Sequence, residues 1–220
     1  MTDVFRQIRD NEVERAARSL YSEKLAFHNF THVIHTLKFA GEIVRSLTTQ
    51  LSSINLKTIY YALLFHDAGY IEDENSTGFA QKEYYAASLA EKHLTKRGLA
   101  PDEIVKITQA IKATHPDAEC ANLEEEIVRG ADISGMAAPY EDFLNMSKAI
   151  KAEQEYFIGV KISWYDWVQG TDAHLSTYLN EKISCGELFA DTSTPSLFAR
   201  RLAANISRLK HEVAPASSIT

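Results

Sequence analysis

Leu63-Leu64-Phe65-His66-Asp67-Ala68-Gly69-Tyr70 sets an imidazole and a carboxylate side by side at the end of an apolar run. Ile59, Ala62, Leu63 and His66 recur at spacings of three and four, so they share one face of a helix that Gly69 is placed to end. Adjacent His and Asp on a buried face are unfavourable unless something offsets their desolvation. A divalent cation does so better than any other single partner. Upstream stands Phe27-His28-Asn29-Phe30-Thr31-His32 and downstream Gly130-Ala131-Asp132-Ile133, so the chain spells His, His-Asp, Asp, the order of a metal site.

Working outward, the helical period continues. Val33, Leu37, Ala40 and Val44 follow the first histidines. Pro101 suits a first helical turn, and Ile104, Ile107 and Ile111 follow it, with His115 continuing the stripe into the core. Three further helical stretches are predicted at Tyr140 to Trp167, Asp172 to Ser184 and Pro195 to Glu212, without alternation of strand type. The fold class is therefore an all-α bundle. Neither a repeat nor a Pro/Gly-rich linker divides the chain, so residues 1–212 read as one domain and residues 213–220, Ser-rich from Pro215 to Thr220, as a flexible C-terminal tail.

The 220 residues, 45% of them hydrophobic, suffice for one sizeable core. A net charge of -7 with no Lys/Arg block argues against a duplex-binding surface, although a small anionic substrate beside a metal remains compatible. Cys120 and Cys185 lack metal-type spacing and are too few for a disulfide framework, which suits a reducing compartment. The N-terminus Met1-Thr2-Asp3-Val4-Phe5-Arg6 has no apolar signal core, and no run approaches the ~18 apolar residues needed to cross a bilayer. These features predict a soluble, cytoplasmic protein.

His28 and His32 lie four apart, so on a helix both project toward a single cavity. A lone histidine on an apolar face is most often a satisfied core residue. Four ligand types at the ends of separate helices change that weighting: His66 and Asp67 supply one imidazole and one carboxylate, His32 a second imidazole and Asp132 a second carboxylate. A His₂Asp₂ set suits a borderline or hard divalent ion (Mn, Fe, Co, Ni, Zn or Mg) and leaves coordination positions open for catalysis.

At these residues the chain resembles the HD-domain metal-dependent phosphohydrolases, in particular the branch whose first motif reads Tyr/Phe-His-Asn-x-x-His. The likeness continues through His66-Asp67-Ala68-Gly69-Tyr70, Glu83 with Ser88, Ile111-Lys112-Ala113-Thr114-His115 and Ala131-Asp132-Ile133. The resemblance implies metal binding by His32, His66, Asp67 and Asp132. Through likeness to cyclic-nucleotide phosphodiesterases, which share the first motif, it implies that His28 protonates the leaving oxygen while Asn29 fixes the loop. A bound metal lowers the pKa of its water and withdraws charge from phosphoryl oxygens, whereas an unligated histidine has a pKa suited to general acid work.

Glu83 shares a helix face with Ala87, Ala90 and Leu94, an odd place for a carboxylate unless it meets the cavity and orients the nucleophilic water. In dinuclear relatives a histidine stands near that position, so Glu83 argues for one tightly held ion. His115 fits a supporting or phosphate-contact role. His93 sits in a charged run out of phase with Glu83 and reads as a surface residue, as do His35, His174 and His211. The cluster Glu153, Tyr156, Phe157, Trp164, Tyr165 and Trp167 suits either a base-stacking platform or core, with core favoured. Lys151, Lys161 and Arg129 are candidates to meet a substrate phosphate, and Asp73-Glu74-Asn75 reads as a solvated turn.

The leading expectation is a metal-dependent phosphohydrolase using a metal-bound water, with Asp67, Glu83 and His28 in catalytic roles. Its partner is a small phosphorylated substrate, a nucleotide or another metabolite, with monoesterase and diesterase activity both open. A di-iron HD-type oxygenase is the alternative within enzymes. A non-catalytic metal- or nucleotide-binding regulatory module is the alternative outside them.

Overall fold

In the computed structural model, residues 4–47, 54–72, 74–191 and 193–212 are described, residues 74 and 75 by backbone alone. Among them every regular element is helical: α1 (Asn11–Arg18), α2 (Phe30–Ser46), α3 (Leu56–Phe65), α4 (Glu74–Thr77), α5 (Lys82–Lys96), α6 (Pro101–Lys112), α7 (Leu123–Ile133), α8 (Tyr140–Ile158), α9 (Trp164–Ser176) and α10 (Leu197–Lys210), with 3₁₀ turns at Ser134–Ala137 and Thr177–Asn180. The starts are set by short polar side chains. Asn29, Asn55, Asn122, Ser163 and Ser196 each accept a hydrogen bond from a backbone N–H of the following first turn.

α3 is the axis of the molecule. Every residue from Thr58 to Phe65 is buried, which is why its sequence is apolar nearly all round and not on one stripe. α6 and α7 flank it, α2 packs on α7, and α5 packs on α6. α8, α9 and α10 gather beyond the 3₁₀ turn at Ser134–Ala137, with α10 against both α9 and that turn. One continuous apolar cluster joins the two groups through residues such as Phe65, Ile127, Phe143 and Phe198. Burial stabilises by about 1.5–3 kcal/mol for each large side chain, so this cluster is what fixes the helix ends in place.

Two predicted helices differ. The stretch Tyr140 to Trp167 is not continuous: Gly159 takes the left-handed conformation at φ +69°, and Ser163 caps a new helix. The stretch Asp172 to Ser184 ends early, at Ser176 and the 3₁₀ turn that follows, and residues 181–184 are irregular. Ile104, Ile107 and Ile111 are buried as predicted, whereas His115 falls past the end of α6 and is half-buried in the following turn. Of the aromatic cluster, Trp167 is buried and Trp164 partly so, but Tyr156, Phe157 and Tyr165 are exposed, Tyr165 by 72%. Core is the wrong reading for those three. Asp73 and residues 213–220 lie outside the described residues, while Glu74 and Asn75 open α4.

Candidate metal centre

Three helix ends converge. Asn29 caps α2 by accepting from the Thr31 N–H at 2.8 Å, and its Nδ2 donates to the Leu25 carbonyl at 2.9 Å, which orients the first turn carrying His32. The turn after α3 is anchored from the opposite side. Tyr21 Oη donates to the Leu64 carbonyl and accepts from the Asp67 N–H, and the Gly69 N–H donates to the Leu20 carbonyl at 3.0 Å. Gly69 takes φ +74°, and a Cβ there would lie 2.6 Å from the Tyr85 ring, so both conformation and close approach require glycine. Asp132 projects from the last turn of α7.

His66 decides the chemistry. Its Nδ1 donates to the Leu63 carbonyl at 2.8 Å, so Nε2 is the nitrogen left to face the two carboxylates, with a lone pair whenever the ring is neutral. That Nε2 is fully buried and has no hydrogen-bond partner. It faces Asp67 Oδ2 at 3.0 Å and Asp132 Oδ1 at 3.4 Å, while His32 Nε2 lies 3.1 Å from Asp132 Oδ1 and 3.5 Å from Asp67 Oδ2. The four donors lie within 4.8 Å of one another. Lone pair against carboxylate is repulsive unless a positive charge sits between them. Separations of 3.0–3.5 Å are what ligand bonds of about 2.0–2.2 Å impose on neighbouring donors, so these residues fit a divalent cation.

Electrostatics agree. Burial disfavours charge on His66, Asp67 and Asp132 alike, but their mutual attraction outweighs it, drawing the His66 pKa well above its usual value and holding both carboxyls below theirs, so the two carboxylates demand a positive charge between the donors, a proton where no cation is bound. The site is built for charge. No other group of three or more ligand-type side chains converges among the described residues.

His28 stands beside this centre in a different state. Its Nδ1 pairs with Glu153 Oε1, and Glu153 Oε2 accepts from the backbone N–H of Phe27 at 3.0 Å and of His28 at 2.9 Å. The ring also stacks on Tyr70 at 3.7 Å. Burial favours the neutral ring, yet Asp67 and Glu153 prevail and hold the His28 pKa above its usual value. A protonated imidazole with Nδ1 anchored presents Nε2–H outward.

Glu153 is the residue that sequence reasoning placed wrongly, among a packing cluster. Its only signal was a carboxylate in the buried face of α8.

Glu83 is half-buried near the start of α5. Burial pushes its carboxyl up, His115 draws it down, and Asp67 and Asp132 push it up further, so it shares the field of the centre. His115 accepts the Asp117 N–H at Nδ1, 3.2 Å away, leaving Nε2 free. Arg129, a candidate for phosphate, is committed elsewhere: it donates to the carbonyls of Ala113, His115, Pro116 and Ala118 and pairs with Glu181, thereby fixing the turn that carries His115. Lys151 and Lys161 both pair with Glu155. His93 is half-buried on α5 against Phe65, away from the four donors, and His35, His174 and His211 are exposed.

The HD domain family model matches residues 29–136. These residues form an HD domain. The match runs from the Asn29 cap of α2 to Met136, and so includes all four converging donors, while Glu153 and helices α8 to α10 lie beyond it. HD domains are as a group metal-dependent phosphohydrolases, in agreement with the all-helical fold and the His/Asp cluster. No match to a curated protein was found. Among the described residues no helix is long and apolar enough to cross a membrane.

Proposed function

We propose that this HD domain hydrolyses phosphate esters of a small metabolite, a nucleotide among them, with a divalent cation held by His32, His66, Asp67 and Asp132. The observation that supports this most directly is the buried, unpartnered Nε2 of His66 set against two carboxylates. A divalent ion there supplies Lewis acidity, acidifying water and drawing charge from phosphoryl oxygens. The protein supplies the protons. Water attacks phosphorus as the P–O bond to the alcohol breaks, and His28 Nε2 gives its proton to the departing oxygen. Glu153 keeps the His28 ring charged and oriented. Glu83, made more basic by burial, positions the attacking water and takes up its proton. Asn29 and His115 serve as supports, the first through the helix cap and the second from its place near Glu83. The working unit extends beyond the family match at least through α8, to which Glu153 belongs.

Release of phosphate or of the alcohol from a panel of nucleotides and simple phosphate mono- and diesters tests this reading. Turnover is expected with Mn, Co, Ni or Mg and is abolished by a chelator. Absence of turnover with every metal refutes it.

A further inference from the structure

A cavity of about 800 Å³ opens beside the metal centre, walled mainly by α8, α9 and the turn at residues 70–72. Its size is that of sites for small organic ligands. His28, its partner Glu153 and the Tyr70 ring stacked on it reach the cavity wall, whereas the four converging donors do not. A general acid touches the leaving oxygen, so the space on the far side of His28 is where the leaving group must sit.

The composition of that wall limits the occupant. Phe143, Met146, Ile150, Phe157 and Trp167 give it more apolar than polar surface. Lys82 is its one lysine or arginine, and its ammonium is already spent on the carbonyls of Tyr70 and Glu72, lying 5.4 Å from the Tyr70 ring and 5.8 Å from that of Phe157. Glu72, Glu153 and Asp166 also face it, so carboxylates outnumber cations. Ser147, Gln154 and Thr171 are the uncharged polar residues of the wall. A leaving group carrying further phosphates would be repelled, and one as small as glycerol would leave the apolar wall wet.

Resting on the hydrolase reading above, we propose that the α8–α9 cavity is the leaving-group site, and that it selects esters of a bulky, uncharged alcohol bearing an aromatic ring. Helices α8 and α9 lie outside residues 29–136, so this selection is added to the HD domain by the C-terminal part of the chain.

The manganese-loaded protein is assayed on thymidine 5′-monophosphate, glycerol 2-phosphate and thymidine 5′-diphosphate, and thymidine binding is followed by tryptophan fluorescence, which Trp167 in the wall reports. Thymidine 5′-monophosphate should exceed both others in kcat/KM by at least about tenfold, the scale on which a filled apolar pocket discriminates. Gly170 lines the cavity with nothing within 4 Å of an added Cβ, and in a helix Gly170→Leu is favourable for folding. That variant should bring the preference for the large ester toward unity and weaken thymidine binding about tenfold. Equal kcat/KM for all three esters without thymidine binding overturns the cavity assignment and leaves the hydrolase reading standing. If no ester turns over but thymidine binds and Gly170→Leu loses it, the hydrolase reading falls while the cavity's preference for a neutral aromatic alcohol holds. Neither turnover nor binding overturns both.

Discussion

His28 and Glu153 are 125 residues apart, and their pairing is the part of the site that sequence could not supply. Glu153→Gln removes a charge that holds the His28 pKa up, so that pKa falls. If protonated His28 is the acid, activity is lost as pH rises through its pKa, and the alkaline limb of kcat moves to lower pH in the variant with metal content unchanged. An unmoved limb would separate Glu153 from the proton. Glu83→Gln should keep the metal and lose roughly 10²-fold in turnover, the scale of a positioned acid-base group; unchanged turnover would make Glu83 a bystander. His32, His66, Asp67 and Asp132 were legible because each is a ligand type with few other reasons to stand at a buried helix end. Glu153 was not, because a lone carboxylate within an aromatic run declares no partner until the chain folds.

Helix starts and stops were read where the signal is local and missed where it is not. Pro101 at the first turn of α6 and Gly69 after α3 were visible. The break between α8 and α9 was hidden because apolar and aromatic residues continue through Val160 and Ile162 at near-helical spacing, although Gly159 turns the chain. Glu155 holds that break: it pairs with Lys151 and with Lys161, and accepts the Ile162 N–H at 2.9 Å. Chiefly through the Lys151 contact, its carboxyl is pushed down to about 2. A carboxyl depressed in the fold contributes stability that is present above its unfolded value, about 4.3, and is lost as pH falls toward 2. Glu155→Gln should therefore lower the melting temperature at pH 7 by several degrees and flatten the loss of stability between pH 5 and about 2. Identical acid unfolding of the two proteins would contradict that role. Gly69→Ala meets both the positive φ and the Tyr85 and Leu89 side chains, and should be destabilising by about 2–4 kcal/mol, seen as a drop of roughly 5–15 °C in thermal unfolding.

At the scale of the whole molecule, apolar periodicity specified an all-helical fold and three motifs specified which His and Asp side chains converge. The arrangement of α8 and α9 against that end was not legible, since it depends on contacts between distant segments, and with it went the cavity and the exposed ring of Phe157. The folded chain gathers the four donors from α2, the turn after α3, and α7, so an ion held by them would be coupled to folding and would raise thermal stability by mass action. The central claim is that these donors hold a divalent cation, and calorimetric titration of the metal-stripped protein with Mn or Co tests it most directly. The wild type should take up a single tightly held ion with a raised melting temperature, and Asp132→Ala should lose at least about 10²-fold in affinity with its circular-dichroism helicity intact. A wild type that takes up no ion, or an Asp132→Ala variant that binds as tightly as the wild type, would contradict it.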